Sequence, residues 1–289
     1  MMTSSMKRNI FLSLLPAIVI FTIFLVIPIL IMGVTSFFSW TGSGLEFVGT
    51  FNYERLFTRD RAYGAALRNT LVWIGVALFI HIPLAVLVAM ILSKKIRGWK
   101  IFRTLFFIPN IVSYASLSIV FLAFYNARYG MLNTTLGSFG LEQFQQDWLF
   151  QRETALAAII LTWVFMIGFY MIIILAEIAS IPESLYEASA IDGANAWQQD
   201  LYITLPLLRN AIGTSMILAA TLSLIYFEGI FLMTQGGPAN ATMNLPMLAY
   251  SQYQNFRWGY TNAIGTTILL LGLVFILIIR TVFRVGERH

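Results

Sequence analysis

Residues 181–208 read IPESLYEASAIDGANAWQQDLYITLPLL, a polar segment set between two charge-free runs, Thr154–Ala176 and Asn210–Phe227. Connections between elements have a median length of about 4–6 residues, and much longer ones tend to carry function. The punctuation here is that of two short helices. Pro182 suits a first helical position and Glu183 the positive end of the helix dipole. Glu183 and Glu187 lie one turn apart, while Leu185, Ala188 and Ile191 form an apolar stripe. Asp192-Gly193 stops the first helix, because glycine readily takes the left-handed conformation past a helix C-terminus. Asn195 and Gln198 have capping-box spacing for a second helix, which Pro206 closes. The expected product is a helix–turn–helix lying flat at a membrane surface.

The flanking runs have counterparts along the chain. Charge-free stretches extend over 10–38, 69–93, 104–125, 154–176, 210–227 and 258–279. Each is of the length a helix needs to cross a hydrocarbon core, about 20 residues. In lipid the backbone must satisfy its own hydrogen bonds, so these are helices, and the alternation of a barrel strand is absent. Pro16, Pro28, Pro83 and Pro109 fall inside them and are expected to mark kinks. Composition agrees: of 289 residues, 58% are hydrophobic and 11% charged, against about 25% charged in soluble domains. The reading is an all-α integral membrane protein, a single domain over 1–289 with a surface loop at 182–206. The first run is longer than a secretory h-region and lacks a small-residue cleavage site, so it reads as a retained helix.

The net charge of +5 is spread in tufts between the runs, which is how membrane topology is encoded; a nucleic-acid surface needs one clustered patch. Lys94, Lys95, Arg97, Lys100 and Arg103 crowd the connection between the second and third spans. Lys7, Arg8, Arg280, Arg284 and Arg288 mark the tails. All fall on one side of a six-span chain, placing both termini and the 182–206 loop in the cytosol. Arg55, Arg59, Arg61 and Arg68 argue the other way from the outer side. With no cysteine and only two histidines, His81 and His289, thiol chemistry and an H-E-x-x-H zinc site are excluded, and no metal site is expected.

An amphipathic helix resting on lipid usually carries Lys and Arg on its polar face. The 182–206 loop carries Glu183, Glu187, Asp192 and Asp200 and no basic residue, which favours a groove on a partner protein over anionic headgroups. Its residues Glu187-Ala188-Ser189, Asp192-Gly193-Ala194 and Ile203-Thr204-Leu205-Pro206 resemble the EAA loop of binding-protein-dependent ABC importer permeases. Phe47-Val48-Gly49 with Asn52-Tyr53, Phe102-Arg103-Thr104 with Pro109, and Thr234-Gln235-Gly236-Gly237-Pro238 are similar to the sugar-type branch of that family. The outer Gly-Gly-Pro turn resembles the first permease of a heterodimeric pair, and the order and spacing match over nearly the whole chain. Ser189 stands where a second alanine is more usual, and Gln235 interrupts a more usual glycine run.

The resemblance implies a type I fold of six transmembrane helices with a cytosolic coupling helix. It implies a multi-pass protein of the cell (inner, cytoplasmic) membrane that imports di- or oligosaccharides, without catalytic residues. The implied partners are a second permease subunit, a cytosolic ATPase dimer, an extracytoplasmic solute-binding protein and the lipid bilayer, with no nucleic acid. Contact with the ATPase falls to Glu183, Glu187, Ala188, Ser189, Asp192, Gly193, Ala194, Leu205 and Pro206. The chain has no G-x-x-x-x-G-K-[ST] phosphate loop, so no cofactor is expected on it; ATP and magnesium belong to the partner.

Sugars suit aromatic faces with a few aimed hydrogen bonds. Thr162, Trp163, Met166 and Tyr170 share one helical face of the fourth span; Ser215, Ala219, Ser223 and Tyr226 share one face of the fifth. Asn110, Ser113 and Tyr114 follow Pro109 on the third. The substrate path is therefore expected at Thr162, Trp163, Met166, Tyr170, Ser223, Tyr226 and Asn110, although helix packing uses the same small and hydroxyl residues. An ion-coupled carrier would need intramembrane carboxylates and paired broken helices, which only Glu228 and Glu177 approach. Serine–histidine hydrolysis would rest on His81 alone, outside any G-x-S-x-G context.

Overall fold

A computed structural model describes residues 4–286. Arg288 and His289, and the side chains of Lys7 and Arg8, fall outside what it describes. Among the described residues, five helices are long and apolar enough to cross a membrane: Ile10–Thr35, Arg61–Ser93, Ala155–Ile178, Arg209–Met233 and Trp258–Phe283. A sixth span is supplied by the pair Trp99–Asn110 and Tyr114–Phe124, which is bent by 95°. The expected third helix is thus broken in its middle, just past Ile108-Pro109-Asn110, which form a single tight turn. The second helix begins at Arg61, earlier than the charge pattern suggested, since Arg61 and Arg68 are carried on its first turns. The first ends at Thr35, and Phe38 belongs instead to a hairpin of Phe38–Thr41 with Gly44–Phe47.

Three prolines are met by the same device. A π turn at Thr22–Val26 precedes Ile27-Pro28, one at Ala77–His81 precedes Ile82-Pro83, and one at Asp200–Thr204 precedes Leu205-Pro206. A proline removes one helical N–H, and its ring presses on the carbonyl four residues back; a wider turn relieves the clash without ending the helix. Pro16, by contrast, lies inside the uninterrupted helix Ser4–Phe21.

The chain divides into two compact units. One comprises residues 1–60 and 249–269. Within it the Asn52 amide donates to the carbonyls of Ser36 (2.8 Å) and Phe38 (2.9 Å), while the Tyr53 hydroxyl meets Ser36 Oγ at 2.7 Å. Those bonds fix the turn into the hairpin and account for the Asn52-Tyr53 pair. Two of the four arginines that argued against the expected topology are partnered: Arg59 with Glu54 at 2.7 Å, and Arg55 over the Tyr260 ring.

The other unit comprises 61–248 and 270–289. Its core is lined by Trp73, Ile74, Ala77, Ile82, Ala85 and Ala89 of the second span and Ala155, Ile159, Met171 and Ile174 of the fourth, all nearly inaccessible. Alanines one turn apart, such as Ala85 and Ala89, let helix backbones approach closely in lipid. Asn69 Nδ2 donates to the carbonyls of Ala241 (2.9 Å) and Met243 (2.8 Å), tying the second span to the segment that follows the Gly236-Gly237-Pro238 turn. The Trp148 indole N–H donates to Asn133 Oδ1 at 2.8 Å.

Candidate functional site

The 182–206 loop folds as two helices around a turn. Glu183–Ile191 is the first helix, with Pro182 at its N-cap (φ −60°, ψ 132°) and not inside it. Gly193 has φ +84° and reverses the chain. Asn195 and Gln198 form the reciprocal capping box for Ala196–Gln199, at 2.9 and 2.8 Å. After the π turn, Leu205 and Pro206 open the short helix Leu205–Leu207.

Neutral side chains knit the loop together. Gln199 Nε2 donates to the Tyr186 carbonyl (3.1 Å) and to Ser189 Oγ (3.0 Å). The Ser189 hydroxyl itself donates to Tyr186 O at 2.8 Å, and Tyr186 Oη meets Thr204 Oγ1 at 3.0 Å. Ser189 is thus an acceptor that alanine could not supply. Glu187 and Asp192 make no side-chain hydrogen bond among the described residues and face outward with Ala188 and Gly193. Ala194 closes the turn through its N–H to the Ser189 carbonyl, at 2.9 Å. Ile191 is 87% exposed, and Trp197 and Tyr202 are each 72% exposed, so the loop presents an apolar surface beside free carboxylates. Lys94 of the basic connection pairs with Asp200 at 2.5 Å. Glu183 lines, with Tyr186, Lys94 and Arg103, a groove of about 680 Å³.

The second feature lies where three spans lose their helical hydrogen bonds. The third is broken after Asn110, the fourth over 165–167 and the fifth over 225–227. Non-helical backbone at membrane depth persists only when buried in protein or lining a cavity, because lipid offers no hydrogen bonds. Here the breaks surround a cavity of about 450 Å³. Its wall includes Asn110 and Tyr114 from the third span, and Trp163, Met166, Phe169 and Tyr170 from the fourth. Tyr226 and Glu228 come from the fifth, and His81 from the second. Gly168 permits the approach of the third and fourth spans, since a Cβ there would collide with the carbonyl of Phe106 and sit 2.8 Å from Asn110 Nδ2.

The wall is aromatic and interlocked. Trp73 lies 4.4 Å from Tyr226 and 5.4 Å from Trp163, centroid to centroid; His81 lies 4.1 Å from Trp163 and 5.4 Å from Tyr170. Tyr114 meets Tyr226 edge-on at 6.2 Å. Two freed carbonyls are satisfied from a distance: His81 Nε2 donates to Met166 O at 3.2 Å, and Asn244 Nδ2 to Tyr226 O at 2.5 Å.

Of the residues expected on the substrate path, Asn110, Trp163, Met166, Tyr170 and Tyr226 come together on this wall. Thr162 and Ser223 lie off it, both buried, their hydroxyls returned to their own helices at Ile159 O (2.7 Å) and Ala219 O (2.8 Å). Ser215 is buried as well. Phe169, Leu222, Ile225 and Phe227 complete the lining and were not foreseen. Aromatic residues next to Tyr170 and Tyr226 were the available signal.

The family model for "Binding-protein-dependent transport system inner membrane component" matches residues 81–288. The chain is 32% identical to the lactose transport system permease protein of Rhizobium radiobacter, covering 99% of this chain and 98% of that one. Among solved structures, it is similar to a chain of a bacterial ABC transporter involved in the import of the acidic polysaccharide alginate, with a TM-score of 0.84, 26% identity and 97% of each chain covered. A second similar structure holds the bacterial alginate transporter in complex with an alginate pentasaccharide-bound periplasmic protein, with a TM-score of 0.84 and 25% identity over 98% of each chain.

Proposed function

The chain belongs to the family of binding-protein-dependent transport system inner membrane components, and from that premise we propose that it lines the path of an ATP-driven importer for neutral di- or oligosaccharides. The observation that carries this reading is the cavity at the three broken spans. Aromatic faces of Trp163, Tyr170, Tyr114 and Tyr226 line it, and such faces suit the apolar side of a sugar ring. Glu228 is the one charged residue among the described lining, and no Arg or Lys faces it. A uronate carboxylate brought there meets like charge in a poorly solvated place, which is costly. In that respect the site departs from what an acidic polysaccharide would require.

Energy comes from a separate ATPase dimer that docks on the 182–206 loop. The exposed Ile191, Trp197 and Tyr202 beside unpaired Glu187 and Asp192 supply an apolar centre with charged edges, the composition of a protein interface. Both termini lie in the cytosol with that loop, in the inner membrane. A second permease subunit closes the open side of the cavity, and a solute-binding protein delivers the sugar from outside. Within this chain, Trp163 and Tyr226 stack on the passing ring, Asn110 donates to its hydroxyls, and the helix ends at the three breaks offer backbone groups. No covalent step falls to this subunit.

The test is uptake by proteoliposomes carrying the complete importer with its binding protein. Neutral di- and trisaccharides, lactose among them, are compared with an alginate oligosaccharide at equal concentration. ATP-dependent entry of a neutral sugar, with the uronate about tenfold slower or worse, is expected. Uronate entry at an equal rate contradicts the neutral reading, and ATP-independent entry contradicts the importer.

A further inference from the structure

His81 is 1% exposed and belongs to neither the coupling loop nor the aromatic faces proposed to stack on sugar. Its position is set by the π turn Ala77–His81. In an unbroken α-helix, Trp73 and His81 would be roughly 80° apart around the axis; one extra residue in the turn reduces this to roughly 20°. Both rings therefore press on Trp163, at 5.4 and 4.1 Å. That turn accommodates the proline at position 83, so the sequence feature and the ring contact are linked.

The hydrogen bonding is asymmetric. A carbonyl can only accept, so the bond to Met166 O requires the hydrogen on Nε2. Nδ1 is buried and has no hydrogen-bond partner among the described residues. The groups whose rings face the imidazole are Trp163 and Tyr170, and no carboxylate or cation is hydrogen-bonded to it among the described residues. What remains is one directed bond across to the fourth span, ending on the carbonyl that the break at 165–167 sets free. In hydrocarbon such a carbonyl would otherwise go unsatisfied.

We infer that His81 is a positioning residue for the cavity: by holding the Met166 carbonyl it fixes the break in the fourth span, and through ring contact it sets the angle at which Trp163 faces the transported molecule. The inference rests on the cavity being the substrate path. The residues just past the break, Phe169 and Tyr170, line the same wall, so loosening the Met166 anchor moves the wall as a unit.

The test needs no substrate, which keeps its failure apart from a failure of the importer reading. The chain has no native cysteine, so a single Phe169→Cys reports on the cavity wall and a single Ser138→Cys on an exposed outer helix. Both are placed in the complete importer in nanodiscs, and the rate of labelling by a charged thiol reagent is measured. With His81→Leu, labelling at position 169 should change by about fivefold or more, the scale expected for one buried bond, while position 138 stays constant. His81→Gln keeps a donor at similar reach and should return the rate to within about twofold of the parent. His81→Asn, whose donor falls short, should behave like His81→Leu and serves if that variant fails to assemble. Equal labelling at position 169 in all variants, or His81→Gln as disturbed as His81→Asn, overturns the inference.

Discussion

The side-chain amide of Asn244 joins the fifth-span break to the helix that follows it: Nδ2 donates to Tyr226 O at 2.5 Å, and Oδ1 accepts from the Met247 N–H at 3.0 Å. Asn244 is 0% exposed, so neither bond competes with water. Asn244→Ala should cost about 1–3 kcal/mol through the stranded carbonyl and lost cap. Asn244→Asp should cost more, because its second oxygen would face the Tyr226 carbonyl. Thermal unfolding in nanodiscs checks the order; an aspartate variant as stable as the parent contradicts it.

Gly193 sits at φ +84°, and a Cβ built there meets no atom within 4 Å. The penalty for a side chain is therefore conformational and not steric. Gly193→Ala should cost the loop about 1 kcal/mol, and Gly193→Val more, since β-branched residues tolerate positive φ poorly. Gly193→Asn should be the mildest change. Membrane insertion should be unaffected in all of them, while transport falls in the order Asn, Ala, Val. Uptake and membrane yield measured together test this, and full transport by Gly193→Val is the contrary result.

Gln199 supplies both donors that fasten the second loop helix to the first. Gln199→Leu should leave the transmembrane helices intact and reduce ligand-stimulated ATP hydrolysis several-fold, about what two lost hydrogen bonds of 0.5–1.5 kcal/mol produce. Asp200→Ala, which breaks an ion pair with the half-exposed Lys94, should change hydrolysis by less than about fivefold, because such pairs contribute about 0–1 kcal/mol. A larger effect from Asp200→Ala than from Gln199→Leu would reverse the account of what holds the loop.

The membrane spans and the helix–turn–helix were legible in the sequence because their causes are local. Absence of charge marks a span, and the Gly193 turn and the Asn195–Gln198 box are encoded within a few residues. Of the three breaks, the one in the third span was legible, signalled by Pro109; those in the fourth and fifth were not. Nothing in Phe165-Met166-Ile167 or Ile225-Tyr226-Phe227 is a proline or glycine; these segments persist because His81 and Asn244, remote in sequence, satisfy the carbonyls. Faces drawn on a continuous helix placed Ser223 beside Tyr226, whereas its hydroxyl serves its own backbone at Ala219. What the loop's sequence did not show is that neutral side chains, Gln199, Ser189 and Tyr186, hold it together and leave the Glu187 and Asp192 carboxylates exposed. A charge count also cannot see the pair Arg59–Glu54 or the stacking of Arg55 on Tyr260.

The central claim is that the aromatic wall at the three breaks carries the sugar. Trp163→Ala and Tyr226→Ala should each lower uptake of a transported saccharide at limiting concentration about ten- to a hundredfold, the equivalent of roughly 1–3 kcal/mol. The importer should still assemble, and its ATPase should still co-purify. Uptake by the purified, fully assembled variants is the measurement. Uptake reduced in both with the complex intact is the result predicted, and parental uptake by both variants would contradict it.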